Sequence, residues 1–96
     1  MKERIEELDQ VAECIKALSH PVRIRILQEL GSGRKCVSEL SERIGVNQTS
    51  LSQHLGLLRS WGWVKRRKKA LYVYYSLSDK GIVTILEKIQ EIVYRL

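Results

Sequence analysis

The stretch that decides the fold runs from Val37 to Leu77 and reads VSELSERIGVNQTSLSQHLGLLRSWGWVKRRKKALYVYYSL. Its first part has the apolar spacing of a short helix, which breaks at Gly45. Asn47 is a favourable N-cap for a second helix over residues 48–61, whose leucines repeat at three- and four-residue spacing. Two helices joined by a tight glycine-containing turn, here spanning residues 37–62, are the layout of a helix-turn-helix.

The hydrophobic period changes after this second helix. Trp63–Lys69 and Leu71–Leu77 are two runs rich in valine, tyrosine, tryptophan and lysine, which favours strands. The chain turns near Lys69 and Ala70 without an Asn-Gly or Asp-Gly pair, so the sequence leaves the turn type and register open. We interpret residues 63–77 as a two-stranded wing.

Helical patterns flank this centre on both sides. A first amphipathic helix lies within residues 1–18, and a second follows Ser19, which is expected to cap it because Pro21 suits a first helical turn. Ser78 is expected to cap a last helix within residues 78–96, with Asp79 in its first turn. Residues 1–96 therefore predict one mostly α domain, a winged helix-turn-helix of five helices and a two-stranded wing.

The first and last helices carry more apolar surface than one small domain needs. The predicted core is already supplied by Val22, Ile26, Leu40, Ile44, Leu51 and Leu55. A homodimer that pairs these two helices about a two-fold axis would cover the surplus, and the alternative is that the stripe folds back on its own domain. The residues assigned to the dimer interface are Ile5, Leu8, Ile82, Ile85, Ile89, Ile92 and Leu96.

The positive charge is concentrated in one segment. The net charge is +6, and residues 47–69 hold six basic and no acidic side chains, while the remaining eleven basic residues match eleven acidic ones. A localised basic segment indicates a polyanion such as double-stranded DNA, although a solvated face is the simpler alternative. The residues expected to contact phosphate are Arg59, Lys65, Arg67, Lys68 and Lys69.

The second helix of the motif begins with uncharged polar side chains. Such groups both donate and accept hydrogen bonds, as reading base edges in the major groove requires, whereas an ordinary exposed helix is rich in charge. The residues assigned to base reading are Gln48, Thr49, Ser50, Ser52, Gln53 and His54.

Other classes of protein find little support in the sequence. No apolar run approaches the roughly 20 residues of a membrane span, and the N-terminus lacks a signal peptide, so we expect a cytoplasmic protein without a membrane partner. No catalytic constellation is present, so we expect no enzymatic activity. A winged helix used only for protein interaction is the alternative function, but it would expose apolar or mixed-charge residues on the reading helix.

Three segments resemble the ArsR/SmtB family of winged-helix repressors. They are ALSHPVRIRILQEL (residues 17–30), CVSELSERIGVNQTSLSQHLGLLRSWGWV (residues 36–64) and YVYYSLSD (residues 72–79). The resemblance implies a homodimer that pairs through its first and last helices, binds an imperfect palindrome in a promoter, and releases DNA when an inducer binds. It also places residues 48–54 on the DNA-reading helix.

The metal sites of that family are incomplete here. The Cys-x-Cys pair of its metal sensors corresponds to Cys36-Val37-Ser38, which keeps one thiol. The pairs that bind zinc-like ions on the last helix correspond to Asp79 with Gly81 and to Ile92 with Arg95. The resemblance therefore implies no required cofactor and no metal site of the known kinds.

Two cysteines are left as candidate thiol sensors. Cys36 follows two cations and precedes a helix, a setting that lowers the pKa of a thiol and raises its reactivity. Cys14 is more simply explained as a buried structural residue. If Cys14 and Cys36 approach each other, they can form a disulfide, bridge a persulfide or bind a soft thiophilic metal or metalloid. The alternatives are a repressor without a ligand and a repressor that senses a signal other than one at the thiols.

Overall fold

The computed structural model describes residues 4–96, so the first three residues of the predicted first helix lie outside the described residues. The elements in chain order are α1 (Ile5–Lys16), α2 (Pro21–Leu30), β1 (Lys35–Cys36), α3 (Val37–Ile44), α4 (Gln48–Ser60), β2 (Val64–Lys69), β3 (Tyr72–Leu77) and α5 (Gly81–Tyr94). The predicted winged helix-turn-helix is confirmed. Within the described residues, no helix is long and apolar enough to span a membrane.

The sheet has three antiparallel strands in the order β1-β3-β2, where the sequence predicted two. The additional strand is β1, in which Lys35 pairs with Tyr75 and Cys36 with Tyr74. Lys35 is buried, and its ammonium donates to Ser32 Oγ and to the carbonyls of Glu29 and Gly33. These acceptors replace the water that the ammonium loses on burial.

The core lies between the helices and the inner face of the sheet. Four of the six predicted core residues, Ile26, Leu40, Leu51 and Leu55, are fully buried, and Val22 and Ile44 pack against them while partly exposed. Burying one such side chain contributes about 1.5–3 kcal/mol. The fully buried set is completed by Leu27, Leu58 and Ile82.

Polar caps set where three of the helices begin. Asn47 Oδ1 accepts from the Ser50 N–H at 2.8 Å, as predicted for α4. The prediction for α2 was wrong by one residue, because His20 and not Ser19 is the N-cap, with its Nδ1 accepting from the Val22 N–H at 3.1 Å. The prediction for α5 was also wrong. The helix begins at Gly81, whose N–H donates to Asp79 Oδ1 at 2.8 Å, and Ser78 lies before it.

A buried carboxylate holds α3 against α2. Glu29 is 7% exposed and accepts from Arg25 Nη2 at 2.8 Å and from Arg43 Nε at 2.6 Å. The hydrogen bond from Arg43 holds the pKa of Glu29 below its usual value, although burial opposes the shift. This network joins α2 to α3, and both helices pack against α4.

The outer helices keep most of their predicted apolar surface. Ile5, Leu8, Ile85, Ile89, Ile92 and Leu96 are exposed, as a dimer interface requires. Ile82 is the exception, because it is 2% exposed and belongs to the core of its own chain. Helix α5 packs on α2. The assignment of Ile82 to the dimer interface was therefore wrong. No residue of α1 within its described range is buried.

Candidate nucleic-acid interface

The exposed face of α4 is uncharged and polar. Its buried leucines fix the rotation of the helix, and this rotation leaves four of the six predicted base-reading residues exposed: Gln48, Thr49, Ser52 and Gln53. Amide and hydroxyl groups can each donate and accept hydrogen bonds. This face can therefore match several donor and acceptor patterns of base edges.

Ser50 and His54 differ from the other four, because both are half-buried. The main-chain N–H of Ser50 is engaged by the Asn47 cap. The His54 ring lies 4.4 Å from the His20 ring, and its Nδ1 lies 3.3 Å from Arg23 Nη1. Burial is the main cause that lowers the pKa of His54, followed by the charges of His20 and Arg23. The prediction that all six residues share one exposed face was therefore wrong for two of them.

The wing separates its cations onto two faces. Alternation along β2 puts Lys65, Arg67 and Lys69 on one side, which we call the outer wing face. Arg66 and Lys68 share the other side with Val64, which is buried in the core. All five cations of the strand are exposed, as is Arg59 in the last turn of α4. The predicted phosphate contacts are thus all accessible to solvent, but they do not share one surface.

Arg34 is a residue of this region that sequence reasoning missed. Its guanidinium lies 4.4 Å from the centre of the Tyr74 ring, a cation–π arrangement. Tyr74 is paired with Arg67 across the hairpin, and its ring centre lies 6.2 Å from that of Tyr72. Arg34 therefore adds a fourth cation to the outer wing face. Only the pairing of β1 with β3 reveals it, because Arg34 lies far from the basic run in the sequence.

The wing turns through Ala70 and Leu71. Lys69 pairs with Tyr72, so the loop has two residues, and the register that the sequence left open is settled. Ala70 has φ +56°, a left-handed conformation that favours glycine and costs other residues about 1–2 kcal/mol. Leu71 is 92% exposed at the tip.

The two cysteines lie on different elements and contact different groups. Cys14 is half-buried on α1, beside a groove of about 340 Å³, and its carbonyl accepts from Trp63 Nε1 at 3.1 Å. The residues that line this groove are Gln10, Val11, Cys14, Ile15, Trp61 and Trp63. Both thiols are free.

Cys36 is the N-cap of α3, and its immediate neighbour is an acid. Its thiol donates to Glu39 Oε1 at 3.1 Å, and this hydrogen bond is the main cause that lowers the pKa of Glu39. The two preceding cations are engaged elsewhere, Lys35 with its three acceptors and Arg34 with Tyr74. The charges of Lys35 and Arg43 act on the Glu39 carboxylate beside the thiol, so the cationic setting of Cys36 stays a prediction. The sensor role of Cys14 and Cys36 stays a prediction.

Candidate metal ligands are dispersed. Across residues 4–96, no three side chains of the types His, Cys, Asp and Glu lie close enough together to hold a metal ion. A soft ion at the two cysteines likewise stays a prediction.

Comparisons with known proteins point to one family. Residues 20–66 match the family model described as bacterial regulatory protein, arsR family. A biofilm growth-associated repressor of Xylella fastidiosa is 41% identical over 71 residues, which cover 74% of this chain and 62% of that repressor. The chain thus spans less than two thirds of the length of that relative.

Solved structures agree over nearly the whole chain. The crystal structure of NolR from Sinorhizobium fredii superposes with a TM-score of 0.82 at 33% identity and covers 96% of each chain. The homodimeric winged helix-turn-helix DNA-binding domain of a possible ArsR-family transcriptional regulator from Mycobacterium bovis has a TM-score of 0.80 at 30% identity, covering 97% of this chain and 87% of that one.

Proposed function

Because the chain belongs to the arsR family of bacterial regulatory proteins, we propose that it is a cytoplasmic transcriptional repressor that binds double-stranded DNA as a homodimer. The names of its relatives support this proposal, since one is a repressor and another is a homodimeric DNA-binding domain. The alternative of a winged helix used only for protein interaction has no such support.

The observation that carries the proposal is the exposed face of α4 beside a basic wing. Gln48, Thr49, Ser52 and Gln53 offer hydrogen bonds to base edges without charge. The outer wing face offers cations to phosphate. Every side chain of β2 is exposed except that of Val64. Base reading and phosphate binding thus have separate residues.

The apolar stripes of α1 and α5 support a two-fold dimer. Ile85, Ile89 and Ile92 are each about half exposed and follow one face of α5. An exposed stripe of this length is costly for a monomer in water and is typical of an interface. A homodimer would present two copies of α4 to two half-sites of a palindrome.

The test is fluorescence anisotropy with a duplex from upstream of the protein's own coding region. A shuffled duplex of the same length and composition is the matched control. We expect tighter binding to the promoter duplex and a steep loss of affinity with salt on both, since each neutralised phosphate adds about −0.9 to the log–log slope. Equal affinity for the two duplexes would remove sequence-specific repression as the function.

A further inference from the structure

We infer that Arg23 and His20 are positioning residues for base reading, which act on α4 by holding the imidazole of His54. This inference rests on the proposed DNA-binding function and deepens it. Both residues lie outside α4: His20 is the N-cap of α2, and Arg23 lies in the first turn of that helix.

Arg23 bridges two helices. Its Nε donates to the carbonyl of Ala17, just beyond the end of α1, and its Nη1 lies 3.3 Å from His54 Nδ1. The side chain is half-buried, and no carboxylate among residues 4–96 lies within ion-pairing distance of it. A half-buried guanidinium without an acidic partner depends on these neutral acceptors. The bridge therefore fixes α4 relative to α1 and α2.

His20 packs against the same imidazole. Its Nδ1 is committed to the Val22 N–H, which fixes the ring at the start of α2. The ring is tilted by 47° to that of His54 at a centroid separation of 4.4 Å, a close contact near the short limit of about 4.5 Å for aromatic pairs. His54 is thus held by two residues of the α2 N-terminal region, 31 or more positions earlier in the chain.

The position of His54 in α4 explains why this anchor matters. Ser52 and Gln53 directly precede it and face solvent, and Ser50 lies one turn before it. Hydrogen bonds to base edges require donor–acceptor distances of about 2.7–3.2 Å, so a small rotation or shift of α4 breaks several at once. Long, flexible lysine and arginine side chains tolerate such a shift, because they can follow a phosphate. Loss of the anchor should therefore reduce sequence discrimination more than overall affinity.

The anchor depends on the protonation state of His54. Its Nδ1 accepts from Arg23 only in a neutral ring, and protonation would replace the acceptor by a donor beside a guanidinium. The charged or titratable groups at this site are His20 and Arg23, and Glu13 and Lys16 of α1 line the cavity next to Arg23. Since the pKa of His54 lies below its usual value of 6.5, the bridge is intact at neutral pH and is lost as the pH falls through the lowered value.

The experiment measures the ratio of affinities for the promoter and shuffled duplexes between about pH 5 and pH 8, where histidine titrates. We expect R23Q to lower the ratio at neutral pH by about tenfold, the equivalent of one to two hydrogen bonds, with less than about twofold change on the shuffled duplex. K80Q removes one positive charge at an exposed residue outside α2 and α4 and should leave the ratio unchanged. The ratio of the wild type should fall on acidification, and H54Q should remove that dependence.

A second variant separates positioning from folding. H20N keeps an N-cap for α2, because asparagine is a favoured cap, but removes the ring that packs on His54. We expect an unchanged thermal midpoint with a lowered affinity ratio. If R23Q and H20N are folded and keep the wild-type ratio, or if they lose affinity equally on both duplexes, the inference is overturned. A wild-type protein with no discrimination at any pH overturns the proposed function and the inference with it.

Discussion

The indole N–H of Trp63 donates to the main-chain carbonyl of Cys14 at 3.1 Å, across 49 positions of sequence. This bond joins α1 to the residue that precedes the first strand of the wing. It matters because α1 has no buried residue to hold it by apolar packing. This bond and the bond from Arg23 to the Ala17 carbonyl are therefore two polar contacts that hold α1 on its own chain.

Replacing Trp63 by Phe should loosen α1. Phenylalanine keeps the apolar contact but lacks the donor, so we expect a loss of about 1 kcal/mol in the free energy of unfolding. Faster amide hydrogen exchange should appear in α1 and not in α4. W61F is the matched control, since the Trp61 indole makes no hydrogen bond within the described residues. Equal exchange in the two variants would show that the Trp63 bond does not hold α1.

Replacing Gln53 by Ala should weaken binding to the promoter duplex selectively. Loss of one well-placed amide costs about 1–3 kcal/mol of discrimination between bases, and the shuffled duplex should be little affected. Q48A is expected to behave in the same way, while Q28A on α2 serves as the control. If Q53A weakens binding to both duplexes by the same factor, base reading is not its role.

Neutralising the outer wing face should weaken binding to every sequence. The variant K65Q/R67Q/K69Q should neutralise fewer phosphates. For each phosphate lost, the negative slope of log affinity against log salt should become shallower by about 0.9. Each of the three single variants is compared with K80Q, which removes one positive charge at an exposed lysine outside the wing. A slope equal to that of the wild type would mean that this face does not touch phosphate.

Replacing Ala70 by Gly should stabilise the protein. Glycine has no Cβ to clash at φ +56°, so we expect a gain of up to about 1 kcal/mol in the free energy of unfolding, measured with urea. L71G changes the other residue of the turn, which has no positive φ, and should give no gain. A gain that is equal in both variants would assign the effect to something other than the backbone of Ala70.

Two isoleucines of α5 should separate folding from assembly. I82A removes a fully buried side chain and should cost about 2–5 kcal/mol of stability at any concentration. I89A removes a half-exposed side chain and should shift the protein from dimer to monomer in analytical ultracentrifugation without unfolding the monomer. A dimer of I89A as tight as that of the wild type contradicts the proposed interface.

Local patterns in the sequence were enough to predict the motif and the wing. The leucines of α4 and the Asn47 cap act within a few residues, so periodicity and capping rules identify them. The strand β1 was missed because two residues are too few to show the alternating hydrophobicity of a strand. In addition, lysine is rarely buried, so Lys35 gave no sign of an inner strand position. The burial of Lys35 depends on a carbonyl near the end of α2. The sequence of β1 alone gives no sign of that acceptor.

The remaining differences at the site have the same cause. His54 was expected on the exposed face, but its neighbours His20 and Arg23 come from an earlier part of the chain. Ile82 continues the apolar pattern of α5, and periodicity does not reveal which turn of that helix packs on α2. Tertiary contacts thus decided the role of both residues.

No residue of α1 is buried within its own chain over the described range of that helix. The stability of the protein should therefore depend on its concentration. The proposed partner subunit would supply most of the surface on which α1 packs, so the thermal midpoint should rise with protein concentration. Below the dissociation constant of the dimer, occupancy of a palindrome grows with the square of the monomer concentration. The number of copies in the cell would then act as a threshold for repression.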